Sequence, residues 1–415
     1  MKHLYMKARF YFILLIFFTV KTMAQPALPA SNPFFIQKNK SNKTNGKIKP
    51  GADQTERYLS YLKGKKVGMV INASSTIGQK SSVDSLKALG ITIVKVFGPE
   101  HGFRTNASDG AKVADSIDLK TGIPIISLYG SHFKPTKEDL QDIDILIFDI
   151  QDVGARFYTY ISTLHYVMES CAENNLELMI WDRPNPNGYY VDGPVLEKKF
   201  KSFVGMHPVP IVHGMTIAEY AQMINGEGWL KDKITCKLKM IELKDYSHSS
   251  MYEPPIPPSP NLNTQKAILL YPSLCLFEGT DISVGRGTYS PFIILGSPAL
   301  KDKYGFSFKP VSIKGMSDKP PHQDTVCYGM NLRSYNMNEL VKAKKLNLSW
   351  LMELYQAYLF KDKFFTAAGF DRLAGTNKLR KQIIAQKSEQ EIRSSWEPAL
   401  LQYKVMRKKY LLYQD

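Results

Sequence analysis

Cysteine is scarce in this 415-residue chain: Cys171, Cys236, Cys275 and Cys327 lie far apart and form no C-x-x-C pair. That spacing excludes the usual zinc-ribbon and thioredoxin arrangements. In an oxidising compartment two disulfides could form, in any of three connectivities; Cys171, on the apolar face of a predicted helix, reads equally well as a buried thiol. No H-E-x-x-H occurs and His207 and His213 are not at helix-face metal spacing, so no metal is expected. No G-x-G-x-x-G follows an apolar run; the nearest match, Gly285-Arg286-Gly287, has Ser290 where the third glycine would stand. No G-x-x-x-x-G-K-[ST] is present, and Ser283 in Asp281-Ile282-Ser283-Val284-Gly285 lacks the first glycine of a nucleophile elbow. Dinucleotide binding, nucleotide hydrolysis and serine-hydrolase chemistry lose their main support, and no cofactor is expected.

Long hydrophobic runs are missing outside the start of the chain. There, Lys2, Lys7 and Arg9 precede the apolar stretch from Phe10 to Val20, and Thr22-Met23-Ala24 offers small residues for cleavage. Residues 1–24 read as a secretory signal peptide, so an exported protein, periplasmic or secreted, is expected. The stretch is short for a bilayer span, which leaves a retained anchor as the alternative. No cysteine near the cleavage point suggests a lipid anchor, and no stable membrane insertion is expected after cleavage. Acidic residues are outnumbered, 38 against 54 basic, for a formal charge of +16. Such a balance suits nucleic acid, lipid head groups or an acidic wall polymer. Export sets nucleic acid aside, and the scattered lysines and arginines, densest at Arg407-Lys408-Lys409, are also what a solvated surface carries.

What is present is globular composition, 44% hydrophobic and 22% charged, in a chain long enough for two domains. Residues 25–55, rich in Pro, Asn, Lys and Ser, read as a flexible leader. From residue 66 apolar strands (67–71, 91–97, 123–128, 145–150, 178–181) alternate with helices (82–89, 157–174), followed by a helix at 216–225 and a strand at 237–243. Continuous apolar strands separated by helices predict a parallel sheet covered on both faces: an α/β, Rossmann-like domain over residues 56–255. Five prolines crowd into Pro254-Pro255-Ile256-Pro257-Pro258-Ser259-Pro260 and fix an extended connector. Beyond it, mixed segments and a helical end predict a smaller α+β domain over 256–415.

Polar groups gather beside Gly or Pro in five places. These are Gly98-Pro99-Glu100-His101-Gly102-Phe103-Arg104; Asp149 to Tyr160; Asp182-Arg183-Pro184-Asn185-Pro186; His207 to Gly214; and Glu278-Gly279-Thr280 with Gly285-Arg286-Gly287-Thr288. The first three follow predicted strands, and a parallel sheet brings such ends to the edge where ligands bind. Each has a plainer explanation. The first could be a solvated turn; Asp149 could cap neighbouring backbone; Asp152 stands where helix N-termini favour acids; Asp182-Arg183 could be a structural ion pair; Tyr158 and Tyr160 could be core. Carboxylates beside Tyr, Asn and Arg, without metal, nucleotide or serine triad, suit chemistry on sugars, where a carboxylic acid protonates the leaving oxygen and a second group supports the oxocarbenium-like centre.

These motifs, with Phe148 ahead of the second and Pro258-Ser259-Pro260-Asn261 added, resemble the exo-β-N-acetylmuramidases of bacterial cell-wall recycling. The resemblance covers roughly residues 60 to 415, in the family's order. It implies a Rossmann-like catalytic domain, a smaller C-terminal domain, a site in the cleft between them, and release of N-acetylmuramic acid from the non-reducing end of peptidoglycan fragments. Glu100 falls on the family's proposed catalytic glutamate, with Asp152 as candidate second catalytic group. Candidate substrate contacts are His101, Arg104, Asp149, Arg156, Tyr158, Tyr160, Asp182, Arg183, Asn185, His213, Asn261, Glu278 and Arg286. The expected partners are peptidoglycan-derived saccharides. A non-catalytic muropeptide-binding protein is the competing reading, and an esterase or amidase, for which no nucleophile or zinc site is evident, comes third.

Overall fold

The computed structural model describes residues 46–100, 102–104 and 115–415. The predicted signal peptide, the leader through residue 45 and His101 lie outside the described residues. Strands β1 (Lys66–Ile71), β2 (Thr92–Gly98), β3 (Ser116–Ile117), β4 (Pro124–Ser127), β5 (Ile145–Asp149), β6 (Leu178–Trp181) and β7 (Leu238–Ile241) form one sheet in the order β3-β4-β2-β1-β5-β6-β7. Every neighbouring pair is parallel except the short edge strand β3, which runs antiparallel to β4. The chain moves one way from β1 to β2 and the other way from β5 to β6. The crevice at the carboxyl ends of β1 and β5 is therefore the topological switch point, where open α/β sheets place their ligands.

Alternate strand residues enter two separate cores, as the two-residue period of a strand requires. Val70, Phe97, Leu146, Phe148, Leu178 and Ile180 face one; Val67, Met69, Ile71, Val96, Ile147, Met179 and Trp181 face the other. The helices that cover them are α1 (Ser82–Ala88), α2 (Tyr160–Glu173), α3 (Ile217–Gly226), α4 (Gln265–Leu274) and α5 (Glu389–Arg407). Helix α2 buries Ile161, Leu164, Val167, Met168 and Cys171 completely, each worth about 1.5–3 kcal/mol for the larger side chains. A capping box between Thr216 and Glu219 starts α3.

The second core is closed by α1 together with a segment that composition placed partly in the leader. Lys49 pairs with Lys244, Ala52, Tyr58 and Leu62 are buried, and the Tyr58 ring stacks on Trp181 with centroids 4.3 Å apart. Gly51 permits this approach, since a Cβ there would stand 2.2 Å from the Ile241 carbonyl oxygen. The predicted leader therefore ends before Lys49.

After the proline tract come α4 and a three-stranded antiparallel sheet, β8 (Ile294–Ser297), β9 (Phe306–Phe308) and β10 (Cys327–Asn331), in the order β8-β10-β9. The first core continues through Leu270, Phe277, Leu295, Leu354, Trp396 and Tyr403, so this region shares its interior with the parallel sheet. Helix α5 is tied to the loop after β6 by Tyr403 Oη donating to the His213 carbonyl at 2.6 Å and by Arg407 donating to that of Gly214. All four cysteines are buried free thiols; Cys171 is pushed up in pKa by a hydrogen bond with Cys236 and by burial. Among the described residues no helix is long and apolar enough to cross a membrane.

Beneath α2, His207 joins Tyr220 Oη through Nδ1 at 3.1 Å and His165 Nδ1 through Nε2 at 3.0 Å, while Trp229 stacks on its ring. Burial pulls the His165 pKa down to about 4 and that of His207 well below the usual 6.5. Both rings are neutral in the fold, whereas the unfolded chain protonates them near 6.5. Their contribution to stability is thus complete above about 6.5 and declines as pH falls toward about 4. Nitrogen-15 spectra of the imidazoles at about pH 5.5 are expected to show both rings uncharged, and a charged ring at that pH would contradict the burial argument.

Candidate active site

β2 ends at Gly98, and Pro99 and Gly102 close a turn by a Gly102 N–H to Pro99 carbonyl bond of 2.9 Å, which leaves Glu100 projecting from the sheet edge. The first residues of α2 meet it there. Thr159 Oγ1 donates to Glu100 Oε2 at 2.9 Å. Tyr160 Oη lies 3.5 Å from the Glu100 carbonyl oxygen and accepts from Asn72 Nδ2, just after β1, at 2.8 Å. Tyr158 Oη donates to the Pro258 carbonyl at 2.8 Å, so the proline tract docks on the same tyrosines. Burial raises the pKa of both phenols, which keeps them protonated donors.

Together these groups line one side of a recess of about 190 Å³. Ser259 and Asn261 enter the lining from the proline tract, and Tyr271, packed edge-on against Tyr158 and Phe292, leads to Cys275, Glu278, Arg286 and Phe292, which line the rest. Asn261 is 1% exposed. Its Nδ2 donates to the Met316 carbonyl at 2.9 Å, and its Oδ1 has no protein partner among the described residues. A buried acceptor in that condition is costly unless a ligand or water meets it. Across the recess, Arg286 Nε donates to Glu278 Oε1 at 2.5 Å, and the guanidinium lies 5.1 Å from the centre of the Phe292 ring. Phe292 takes a left-handed backbone, φ 55°, a strain seen where surroundings over-determine a residue. Two carboxylates of different setting therefore share the recess: Glu100 on a neutral hydroxyl, Glu278 on a guanidinium. Among the described residues no cluster of three or more His, Cys, Asp or Glu side chains is placed to hold a metal ion.

Models of the N-terminal and C-terminal parts of the exo-β-N-acetylmuramidase NamZ match residues 67–266 and 269–413. The chain belongs to the NamZ family. Peptidoglycan β-N-acetylmuramidase NamZ of Bacillus subtilis (strain 168) is 39% identical over 386 residues, covering 88% of this chain and 92% of its own. A DUF1343 family crystal structure from Bacteroides fragilis superposes with a TM-score of 0.83 at 45% identity, over 89% of this chain and 100% of that one. A second from the same organism gives 0.72 at 28% identity, over 88% and 99%. The protein is accordingly a glycosidase.

On this NamZ-family fold, Glu100, Tyr158, Tyr160, Asn261, Glu278 and Arg286 converge on the recess; His101 lies outside the described residues, and the other described polar residues singled out from sequence lie elsewhere. Asp149 and Arg183 form a buried ion pair, Nε to Oδ1 2.6 Å, with Arg183 Nη2 also donating to the Thr76 carbonyl. Burial pushes the Asp149 pKa up and Arg183 opposes it. Asp182 accepts from Tyr413 Oη and from the Ala218 N–H at the start of α3, and burial raises its pKa to about 7. Asn185 ties the Met215 carbonyl and packs so closely on Gly154 that a Cβ there would be 2.2 Å from its Oδ1. Asp152 accepts the Gly154 N–H at 2.6 Å and stands 3.7 Å from buried His213 Nε2, behind the tyrosines. Arg156, fully buried, donates to the carbonyls of Pro194, Val209 and Leu373. Arg104 grips Asp118 with two bonds, 2.7 and 2.8 Å, which holds that carboxyl down at about 2, and reaches Asp84 as well. Sequence reasoning passed over Thr159, Tyr271, Cys275 and Phe292. Of these only Thr159 carried a usable signal, its place between two tyrosines at a predicted helix start.

Because Asp149 and Arg183 are 0% and 3% exposed, removing the cation leaves a carboxylate buried without its partner. Arg183→Leu is expected to cost about 3–5 kcal/mol in urea unfolding; a loss under about 1 kcal/mol, the usual range for an exposed pair, would show that Asp149 is relieved by water.

Proposed function

We propose that this glycosidase is an exported, exo-acting β-N-acetylmuramidase that releases N-acetylmuramic acid from the non-reducing end of peptidoglycan fragments, with Glu100 as general acid. The observation that carries the reading is the Glu100 carboxyl, held by Thr159 at the lip of a recess whose far wall presents Arg286. The substrate named for the Bacillus subtilis relative supports the sugar, and the family description supports exo action. The export part rests on the basic and apolar pattern of residues 1–24.

Glu100 gives its proton to the glycosidic oxygen as the bond to the anomeric carbon breaks. The lactyl carboxylate that distinguishes muramic acid from glucosamine meets Arg286, whose planar guanidinium can take a carboxylate in two parallel bonds. Arg156, the other arginine among the candidate contacts, is the weaker choice for that task because its donors go to the carbonyls of Pro194, Val209 and Leu373. Asn261 Oδ1 accepts the acetamido N–H. In the favoured route the acetamido oxygen attacks the anomeric carbon, water then opens the intermediate as Glu100 takes a proton back, and configuration is retained. A second reading follows from Glu278: a carboxylate across the recess could activate water and invert the centre.

Glu100→Gln keeps the shape and removes the proton. Turnover of an unactivated muramyl-glucosamine disaccharide is expected to fall about 100-fold or more. Wild-type turnover by this variant would overturn the assignment.

A further inference from the structure

Thr159 precedes the first residue of α2, a position where a threonine oxygen ordinarily accepts a backbone N–H two or three residues on. It makes no such cap. Its carbonyl accepts from Ser162 and Thr163 N–H, while its single hydroxyl proton goes to Glu100 Oε2 at 2.9 Å. A carboxylic acid carries its proton on one oxygen, and the other only accepts. With the threonine proton on Oε2 that oxygen accepts; a proton on Oε2 would turn the hydroxyl away and leave its own proton without an acceptor among the described residues. The acid proton is then left to Oε1. The turn around Glu100 is closed by the Gly102 N–H to Pro99 carbonyl bond of 2.9 Å, which the hydroxyl does not share, so its removal leaves that bond in place.

Resting on the reading of Glu100 as the acid, we propose that Thr159 is a positioning residue that assigns the proton to Glu100 Oε1, the oxygen offered to the leaving group. Loss of the hydroxyl lets the carboxyl rotate and share its proton between both oxygens, so a smaller fraction of encounters is productive. Since the hydroxyl makes no cap bond, Thr159→Val removes the donor and keeps the β-branched shape of the helix start.

The test compares kcat/KM on two β-muramides, one with a sugar leaving group that must be protonated, the other with a dinitrophenolate that needs no proton. Thr159→Val is expected to lose on the order of ten-fold or more on the disaccharide and to keep near wild-type kcat/KM on the aryl muramide, with Thr159→Ser restoring the disaccharide rate. Equal loss on both substrates, as a damaged fold would give, or loss on neither, overturns the proposal. Glu100→Gln in the same assay separates the two ideas. If it is impaired on the disaccharide while Thr159→Val is not, the positioning role alone falls. If it turns the disaccharide over like wild type, the acid assignment falls first.

Discussion

Strands β1, β5 and β6, buried on both faces past Lys66, have no room for a polar side chain short of their ends, because each residue points into one core or the other. Polar groups are therefore driven to strand ends, and in a parallel sheet all the carboxyl ends lie at one edge. Glu100 after β2, Asn72 after β1 and the Tyr158-Thr159-Tyr160 run leading into α2 are brought within bonding distance by that rule. Asp149, the last residue of β5, is the exception that shows its force: fully buried, it requires Arg183 beside it.

The parallel sheet supplies one wall only. The second comes from beyond the proline tract, which is not the extended connector expected from sequence but bends at Pro255-Ile256 and Pro258-Ser259 and turns at Pro260-Asn261. Tyr158 bonds its Pro258 carbonyl, and Asn261 turns into the recess three residues later. Arg286, Glu278 and Phe292 complete the far wall. Because one hydrophobic core runs beneath both walls, their separation is set by packed side chains, which interiors hold at crystal-like density. A recess built this way is pre-formed, as differential binding of a transition state requires.

Most of the framework was legible because its signals are local. Apolar runs of strand length gave six of the seven strands of the sheet, and the face of α2 could be read from Tyr160, Ile161, Leu164, Val167, Met168 and Cys171, although the helix starts at Tyr160 and not at Phe157. The edge strand β3 and helix α4 were not; the first is two residues long, and the second contains Pro272. At the site the limit is different. Asp182, Arg183 and Asn185 look in sequence like Glu100, polar residues after a strand beside proline, yet they brace the loops while Glu100 faces the recess. Which way such a side chain turns is decided by what packs over it: α3 and Tyr413 over Asp182, Gly154 against Asn185. Arg156 and Arg286 are equally basic on paper, and only the distant carbonyls of Pro194, Val209 and Leu373 claim the first.

The central claim is that one recess, with Glu100 on one wall and Arg286 on the other, holds the terminal muramic acid. A crystal structure of the Glu100→Gln protein with an uncleaved muramyl-glucosamine disaccharide tests it most directly. The glycosidic oxygen should lie within about 3 Å of the Gln side chain placed at position 100, with the lactyl carboxylate on Arg286. A disaccharide bound with its scissile oxygen remote from that position, or with the lactyl group away from Arg286, would contradict it.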